Sequence, residues 1–163
     1  MADAHFPQPQ SCEQARQLLI DAGRILEASG QGDLTRGHIS VRVPGDPTHF
    51  YMKPHSHGFD EMTHENIVIC NLDGEKVGGG GRRHSEVYIH SEIYKVRPDV
   101  MSVIHAHPTH AVALSATGRP LRPISQPGVT FRDGVPVYTG TIELIRSQAM
   151  GAGVAQALGP HKA

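Results

Sequence analysis

The sequence predicts a layered α/β domain whose sheet is at least partly antiparallel. Three observations predict it: short strand-like runs, four segments with apolar residues at helical spacing, and turn signals that join neighbouring strands into hairpins. The length of 163 residues suits one domain with a hydrophobic core of its own.

Four helices are expected along the chain. The first runs from about Glu13 to Glu27, because Ser11 is a suitable N-cap and apolar residues follow at helical spacing. The other three are expected at Ser85–Val96, Thr109–Ala116 and Ile142–Leu158.

The strands are expected between these helices. The segment His38–Val43 alternates like a strand and ends at a Pro-Gly-Asp-Pro turn, and Phe50–Met52 is its expected hairpin partner. A third strand, Asn66–Leu72, precedes an Asp-Gly turn. The remaining expectations are a flexible joint at Gly78–Gly81, a strand ending in the sequence His105-Ala106-His107, a Pro-rich loop at Pro120–Pro127 and a short strand at Val135–Tyr138.

The global composition narrows the class of protein. A formal net charge of −1 and a pI near 6.9 give no electrostatic reason to expect nucleic acid or an anionic membrane as a partner. No apolar stretch approaches the roughly 20 residues that span a bilayer. Residues Met1–Pro7 show no secretory signal, and Cys12 and Cys70 match no paired motif, so a cytoplasmic protein with reduced thiols is expected.

The motif His105-Ala106-His107 is the most informative feature among the twelve histidines. In an extended strand, side chains two residues apart point to the same face, so both imidazoles can reach one divalent ion. The alternative is a pair of half-buried histidines at a strand edge. The paired spacing, the strand end and the following Pro108 favour metal ligands.

Glu86 and His90 form a second group of interest. Glu86 lies in the first turn of the expected helix Ser85–Val96, and His90 follows four residues later on the same face. The helix leads through a short turn into the strand that carries the paired histidines, and such a unit packs helix against strand. A surface carboxylate at the helix start is the alternative, because the sequence leaves the register open.

These residues resemble the class II aldolase/adducin family over nearly the whole chain. The resemblance rests on Glu86 with His90 and on the segments Arg97–Val100, Val103–Pro108 and Gly37–Arg42. It implies a three-layer α/β/α sandwich with a mostly antiparallel sheet, a homotetramer with active sites at subunit interfaces, and a divalent ion such as Zn, Mn, Mg or Co. It also implies that His105 and His107 are metal ligands and Glu86 the catalytic acid/base.

The sequence departs from the members of that family that cleave sugar phosphates. Those members resemble this chain except that Asn stands in place of His38 and small hydroxyl residues precede the glutamate, where His84 and Ser85 stand here. Their phosphate loop corresponds to Lys53–Gly58. A phosphate cradle needs small residues, so the imidazoles favour another substrate. The expected substrate-binding residues are His38, Lys53, His55, His57, His84 and Ser85.

The resemblance also implies a third histidine ligand, from a strand beyond the last helix. The sequence ends at Pro160–Ala163, where that strand should begin. A single domain over residues 1–163 that lacks this strand and this histidine is therefore expected. A truncated form is the favoured explanation; completion of the site by Glu86 or His84, and more weakly by His161, are the alternatives.

The expected function is a divalent-metal-dependent carbon–carbon lyase that acts on a small-molecule carboxylate or sugar phosphate. The ion would stabilise the negative charge that develops when the bond breaks, and Glu86 would move one proton. A decarboxylase of a hydroxylated aromatic (di)carboxylate is favoured. A fuculose- or rhamnulose-type aldolase or epimerase and a non-catalytic, adducin-like assembly module are the alternatives. The sequence assigns no role to His110, Arg132 and Tyr138.

Overall fold

The computed structural model describes residues 8–163, and the segment 1–7, where no secretory signal was predicted, lies outside the described residues. Within residues 8–163, no helix is long and apolar enough to cross a membrane. The elements in chain order are α1 Cys12–Ala28, β1 His38–Val43, β2 Asp46–Met52, β3 Val68–Asn71, β4 Lys76–Gly79, α2 Val87–Val96, β5 Ser102–His105, α3 Thr109–Ala116, a 3-10 helix Pro127–Phe131 and α4 Gln148–Leu158.

The five strands form one sheet in the order β4-β3-β2-β1-β5, and every neighbouring pair is antiparallel. Strand β5 lies at the edge of the sheet beside β1, and the register places His105 directly opposite His38. Side chains of directly opposed residues lie on the same face, within about 5 Å at their Cβ atoms. The pairing therefore joins two histidines that are far apart in sequence.

Helices cover both faces of the sheet, which confirms the three-layer α/β/α sandwich. Alternate residues of β1 divide between the two faces, since side chains reverse direction at every step. One face packs against α1 through a core that includes Leu19, Ile20, Ile39, Val41 and Phe59. The other face packs against α2 and α4 through a core that includes Phe50, Met52, Ile93, Tyr94 and Ala155.

The face of β1 that meets α2 is polar although it is buried. Its three residues are His38, Ser40 and Arg42. The Arg42 guanidinium lies 4.4 Å above the Tyr94 ring and is enclosed by backbone carbonyls, as a buried cation requires. It donates hydrogen bonds to the carbonyl oxygens of Pro47, Tyr94, Arg97 and Val100. Arg42 thus fixes the turn that connects α2 to β5.

The ends of several elements differ from the sequence prediction. The expected strand at Val135–Tyr138 is wrong: these residues form an irregular segment in which Pro136 has no N–H to donate. Part of the expected flexible joint is strand β4, because β3 continues into a hairpin at the predicted turn. The hairpin partner β2 is longer than expected and begins at Asp46.

Two helices begin later than expected. The last helix starts at Gln148 and not at Ile142, because Ser147 is extended and its hydroxyl accepts the Met150 N–H as an N-cap. The second helix starts at Val87, and Glu86 is its N-cap residue. The carboxylate of Glu86 makes no capping bond and is therefore available to other groups.

The packing of α4 against its two neighbours, α2 and Tyr138, predicts the effect of two glycine substitutions. A Cβ at Gly151 would lie 2.4 Å from the Tyr88 carbonyl oxygen, whereas a Cβ at Gly153 would lie 3.1 Å from the Tyr138 side chain. Gly151→Ala should lower the free energy of unfolding by about 1–3 kcal/mol, because backbone cannot yield as a side chain can. Gly153→Ala should change it by under about 1 kcal/mol, since helix propensity improves. Thermal unfolding of both variants checks this, and equal stability of the two would contradict it.

Candidate active site

A cavity of about 540 Å³ lies beside the ends of β5 and α2. Its wall is completed by residues 35–37, which precede β1, and by residues 141–146, which precede α4. The structure brings six of the predicted site residues to this wall: His55, His84, Ser85, Glu86, His105 and His107. The cavity also has an apolar portion, formed in part by Ile89, Ile145 and Val154.

His105 and His107 point their rings at the same space, as predicted, although the strand was expected to extend through His107 and β5 ends at His105. Their Nε2 atoms are 2.9 Å apart. Two imidazole nitrogens that bind one ion at about 2.0–2.1 Å lie roughly 3 Å from each other. Burial lowers the pKa of His105, which favours the neutral imidazole that binds metals. The two rings therefore fit a shared divalent ion.

Asp33 orients His107 from behind. The Nδ1–H of His107 donates to the Asp33 carboxylate at 2.9 Å, and this hydrogen bond lowers the pKa of Asp33. The contact leaves the lone pair on Nε2, the atom that faces His105, which is the usual arrangement for a metal-binding histidine. Asp33 was not predicted from the sequence, because it lies in a turn between α1 and β1, 74 residues before His107.

His38, His84 and Glu86 form a second cluster next to the first. One potential ligand atom from each lies within 4.8 Å of the others. The His38 ring stacks on the His105 ring with centroids 4.6 Å apart, so the two clusters adjoin. Within residues 8–163, His38 Nε2 is a buried polar atom without a hydrogen-bond partner. An atom of this kind calls for an explanation, and a catalytic role is one of the usual ones.

Glu86 is held at its second oxygen by the loop before α4. Its Oε1 accepts the Ile145 N–H at 3.1 Å, and its Oε2 lies 3.6 Å from His38 Nε2. The carboxylate thus faces His38, whereas its expected approach to His105 and His107 stays a prediction. The anchor was not predictable from sequence, since the segment around Ile145 was expected to be helical.

The buried imidazoles are neutral. Burial lowers the pKa of His84 to about 4, and the charge of nearby Lys53 acts in the same direction. Burial also lowers the pKa of His38 well below its ordinary value. Neutral imidazoles suit Zn and neighbouring transition metals, so the paired rings of His105 and His107, with the Glu86 carboxylate on the same cavity wall, fit a catalytic metal site.

Lys53 and His57 do not line the cavity, although they flank His55, which does. The buried Lys53 ammonium donates to the carbonyls of Thr35, Pro54 and His57, and burial lowers its pKa to about 8. The His57 ring contacts the carbonyl of its own loop at residue 55. Lys53 therefore ties the loop 54–58 to the segment before β1.

Several residues that the sequence left without a role are now placed. Tyr138 lines the cavity, whereas His110 and Arg132 are exposed and lie outside it. Arg36 and Arg146 also line the cavity, from two different loops. Single arginines in loops carry no sequence signal for a site, so the two were not predicted.

Comparison with known proteins assigns the chain to a family. Residues 17–163 match the family described as Class II Aldolase and Adducin N-terminal domain. The chain belongs to this family. Its sheet with helices on both faces is the fold of the class II aldolases, and the predicted resemblance is confirmed.

Three similar proteins show the range of the family. The 3,4-dihydroxyphthalate decarboxylase of Arthrobacter keyseri is 31% identical over 156 residues, which cover 89% of this chain and 62% of that protein. Human gamma-adducin is 32% identical over 133 residues, 78% of this chain and 19% of that protein. The structure of L-fuculose 1-phosphate aldolase from Glaciozyma antarctica PI12 superposes with a TM-score of 0.80 at 30% identity, over 97% of this chain and 64% of that one.

The neutral state of His84 predicts how stability depends on pH in metal-free protein. The unfolded chain binds a proton at His84 near pH 6.5, whereas the folded chain does so only near pH 4, so acidification across this interval favours unfolding. Replacement of His84 by Gln should remove up to roughly 3 kcal/mol of this loss at pH 4. Urea unfolding at pH 7 and pH 4 measures it.

The exposed His110 supplies the control for that experiment. His110→Gln should leave the pH dependence of the free energy of unfolding unchanged, since its ring is open to solvent. If His84→Gln loses as much stability between pH 7 and pH 4 as the unmodified protein, the buried neutral state assigned to His84 is wrong.

Proposed function

We propose that this chain carries the active site of a divalent-metal-dependent carbon–carbon lyase, and that the enzyme decarboxylates a hydroxylated aromatic (di)carboxylate. One observation carries the proposal: His105, His107 and Glu86 line a single cavity, and the Nε2 atoms of the two histidines are 2.9 Å apart. The similarity to the dihydroxyphthalate decarboxylase supports the choice of reaction.

His105 and His107 are the proposed metal ligands, through their Nε2 atoms, with Asp33 orienting the second ring. His84 and Glu86 line the same cavity and are the candidates for a further donor. The proposed ions are Zn, Mn, Mg or Co. A bound ion of this kind acts as a Lewis acid that stabilises negative charge on a chelating substrate oxygen while the carbon–carbon bond breaks.

Glu86 is the proposed acid/base. The Ile145 N–H holds Oε1 in place, which leaves Oε2 directed at the histidine cluster. A carboxylate fixed in this way can deliver a proton to the carbon that loses carbon dioxide. A correctly placed acid/base contributes about 10²–10⁴-fold to the rate.

The remaining wall suits an aromatic acid. Arg36 and Arg146 bring two guanidinium groups to the cavity, and such groups bind carboxylates through paired hydrogen bonds. The apolar portion near Ile89 and Val154 can accept the flat face of a ring. His55, His84 and Ser85, which line the same cavity, are the further proposed substrate contacts.

A sugar-phosphate aldolase or epimerase is the second candidate, favoured by the superposition on the fuculose phosphate aldolase. Against it, the loop that would hold a phosphate contains His55, whose ring packs 5.1 Å from His84, and Lys53, whose ammonium is occupied by carbonyls. A non-catalytic assembly role, as in the adducins, is the third candidate. The presence of His105, His107 and Glu86 on the wall of one cavity argues against it, because an assembly module does not need them.

A cytoplasmic homotetramer is part of the same proposal. Apolar side chains on α3 and in the segment between α3 and α4 support an interface between copies, because they have no cover within residues 8–163. The exposed residues include Val112, Ile124, Val137 and Ile142.

The substrate class is tested by supplying Zn, Mn, Mg or Co to the purified protein with two groups of compounds. We expect release of carbon dioxide from dihydroxyphthalate-like acids, and no cleavage of fuculose or ribulose phosphates. Cleavage of the sugar phosphates without release of carbon dioxide would replace the decarboxylase by the aldolase. No turnover of either class with a full complement of bound metal would support the assembly role.

The role of Glu86 is tested by Glu86→Gln, with Glu92→Gln as the matched control. Glu92 is buried on the same helix, but its carboxylate pairs with Lys95 outside the cavity. Glu86→Gln should keep the bound metal and lose about 10²–10⁴-fold in kcat. Glu92→Gln should keep its activity. Loss of metal in proportion to loss of activity in Glu86→Gln would make Glu86 a ligand and not the acid/base.

A further inference from the structure

A chain of four buried polar side chains extends from the site into the layer between β1 and α2. His38 Nδ1 lies 2.6 Å from His90 Nε2, His90 Nδ1 lies 2.6 Å from Ser40 Oγ, and Ser40 Oγ lies 2.8 Å from the Tyr94 hydroxyl. Each of the four side chains is almost completely shielded from solvent. The proposed reaction uses none of His90, Ser40 and Tyr94 directly.

We propose that His90 is a positioning residue: the hydrogen-bonded chain Tyr94–Ser40–His90 fixes the ring of His38 with its hydrogen on Nε2, directed at Glu86. His38 is then a hydrogen-bond donor in the active site and not a metal ligand. This inference rests on the proposed function for its catalytic meaning, although the arrangement itself is a property of the folded chain.

The elements that carry the four residues explain why they meet. Glu86, His90 and Tyr94 follow one another at intervals of four residues. They therefore lie on one face of α2, and Glu86 is its N-cap. His38 and Ser40 are two residues apart on the face of β1 that meets this helix. The helical and extended spacings run side by side, so the side chains interleave into one row.

The Tyr94 end of the row sets the direction of the hydrogen bonds. Burial raises the pKa of Tyr94, so the phenol keeps its hydrogen and must donate it. Ser40 Oγ is the only hydrogen-bond acceptor that this hydroxyl has within residues 8–163. Ser40 then donates its own hydrogen to His90 Nδ1. His90, which is neutral, carries its hydrogen on Nε2 and donates it to His38 Nδ1.

The Glu86 end of the row requires the same direction. A neutral His38 that accepts at Nδ1 carries its hydrogen on Nε2. That atom lies 3.6 Å from the Glu86 carboxylate, which is an acceptor. The reverse direction would leave the Tyr94 hydrogen without an acceptor and would set a lone pair against the carboxylate. Both ends therefore assign one tautomer to His38.

The tautomer decides what His38 can do. With its hydrogen on Nε2, His38 can donate to Glu86 or to an oxygen of a bound carboxylate, but it has no lone pair there for an ion. The neighbouring His105 and His107 keep that role. The chain of hydrogen bonds thus separates the imidazoles of the cluster into metal ligands and a donor.

The tautomer is measured directly by NMR of the full chain labelled with ¹⁵N-histidine. Two-bond ¹H–¹⁵N correlations of metal-free protein show which ring nitrogen bears the hydrogen, and His38→Gln identifies the His38 signals by their loss. We expect the hydrogen on Nε2 in both His38 and His90. On addition of Zn²⁺, the His105 and His107 signals should shift while His38 retains its Nε2 hydrogen.

Two outcomes of the NMR measurement would overturn the inference. One is a His38 hydrogen on Nδ1 in the metal-free protein. The other is loss of the His38 Nε2 hydrogen when Zn²⁺ is added, which would make His38 a ligand. Neither result depends on a substrate, so absence of decarboxylase activity would refute the proposed function and leave this inference standing.

Replacement of His90 separates positioning from simple packing. Gln at this position can donate its amide hydrogen to His38 Nδ1, whereas Leu fills the space and cannot donate. His90→Leu should mix the two His38 tautomers and lower kcat by about 10–100-fold with little change in KM. His90→Gln should restore the Nε2–H tautomer and most of the activity.

Thermal unfolding shows whether each His90 variant is folded. A folded His90→Leu protein with the unmodified His38 tautomer would contradict the inference, as would equal loss of kcat in folded Leu and Gln variants. If neither variant folds, the tautomer measurement on the unmodified chain still decides the question.

Discussion

The antiparallel pairing of β1 with β5 is the constraint on which the site depends. It sets His38 beside His105 at the edge of the sheet, although 66 residues separate them in the sequence. Helix α2 lies in the connection between these two strands, and the bonds from Arg42 to the turn after it fix where the helix ends. A slip of one residue would reverse every side chain of β5. The register of this pairing therefore decides whether the rings of His38 and His105 meet.

The histidines of this layer can be buried because their imidazoles are neutral and because His38 and His90 are hydrogen-bonded to each other. An isolated buried polar group is destabilising, and an isolated buried charge much more so. Burial keeps His38, His84 and His90 uncharged, and the row that ends at Tyr94 satisfies the polar atoms behind them. The Nε2 of His38, which has no hydrogen-bond partner within residues 8–163, is the exception, and it lies 3.6 Å from the Glu86 carboxylate.

Features with a local period were predictable from the sequence, and features that depend on distant contacts were not. The shared direction of the His105 and His107 rings, the N-cap of α1 and the boundaries of β1 and α3 follow from neighbouring residues, although β5 ends at His105 and does not include His107. Asp33 and the anchor of Glu86 at Ile145 depend on loops that meet the site only after folding. The apolar segment after Ile142 has helical spacing, but it forms the cavity wall, and the helix begins only at the Ser147 cap.

We propose above all that His105, at the end of β5, and His107, two residues later, bind the same divalent ion. Calorimetric titration of Zn²⁺ into chelator-treated protein tests it most directly, with His105→Asn and His107→Asn as variants. We expect one tightly bound ion per chain in the unmodified protein and loss of this ion in both variants. X-ray absorption of the loaded protein should show nitrogen ligands at about 2.0–2.1 Å from the ion. Retention of the same stoichiometry and affinity when both rings are replaced, or no binding by the unmodified protein, would contradict it.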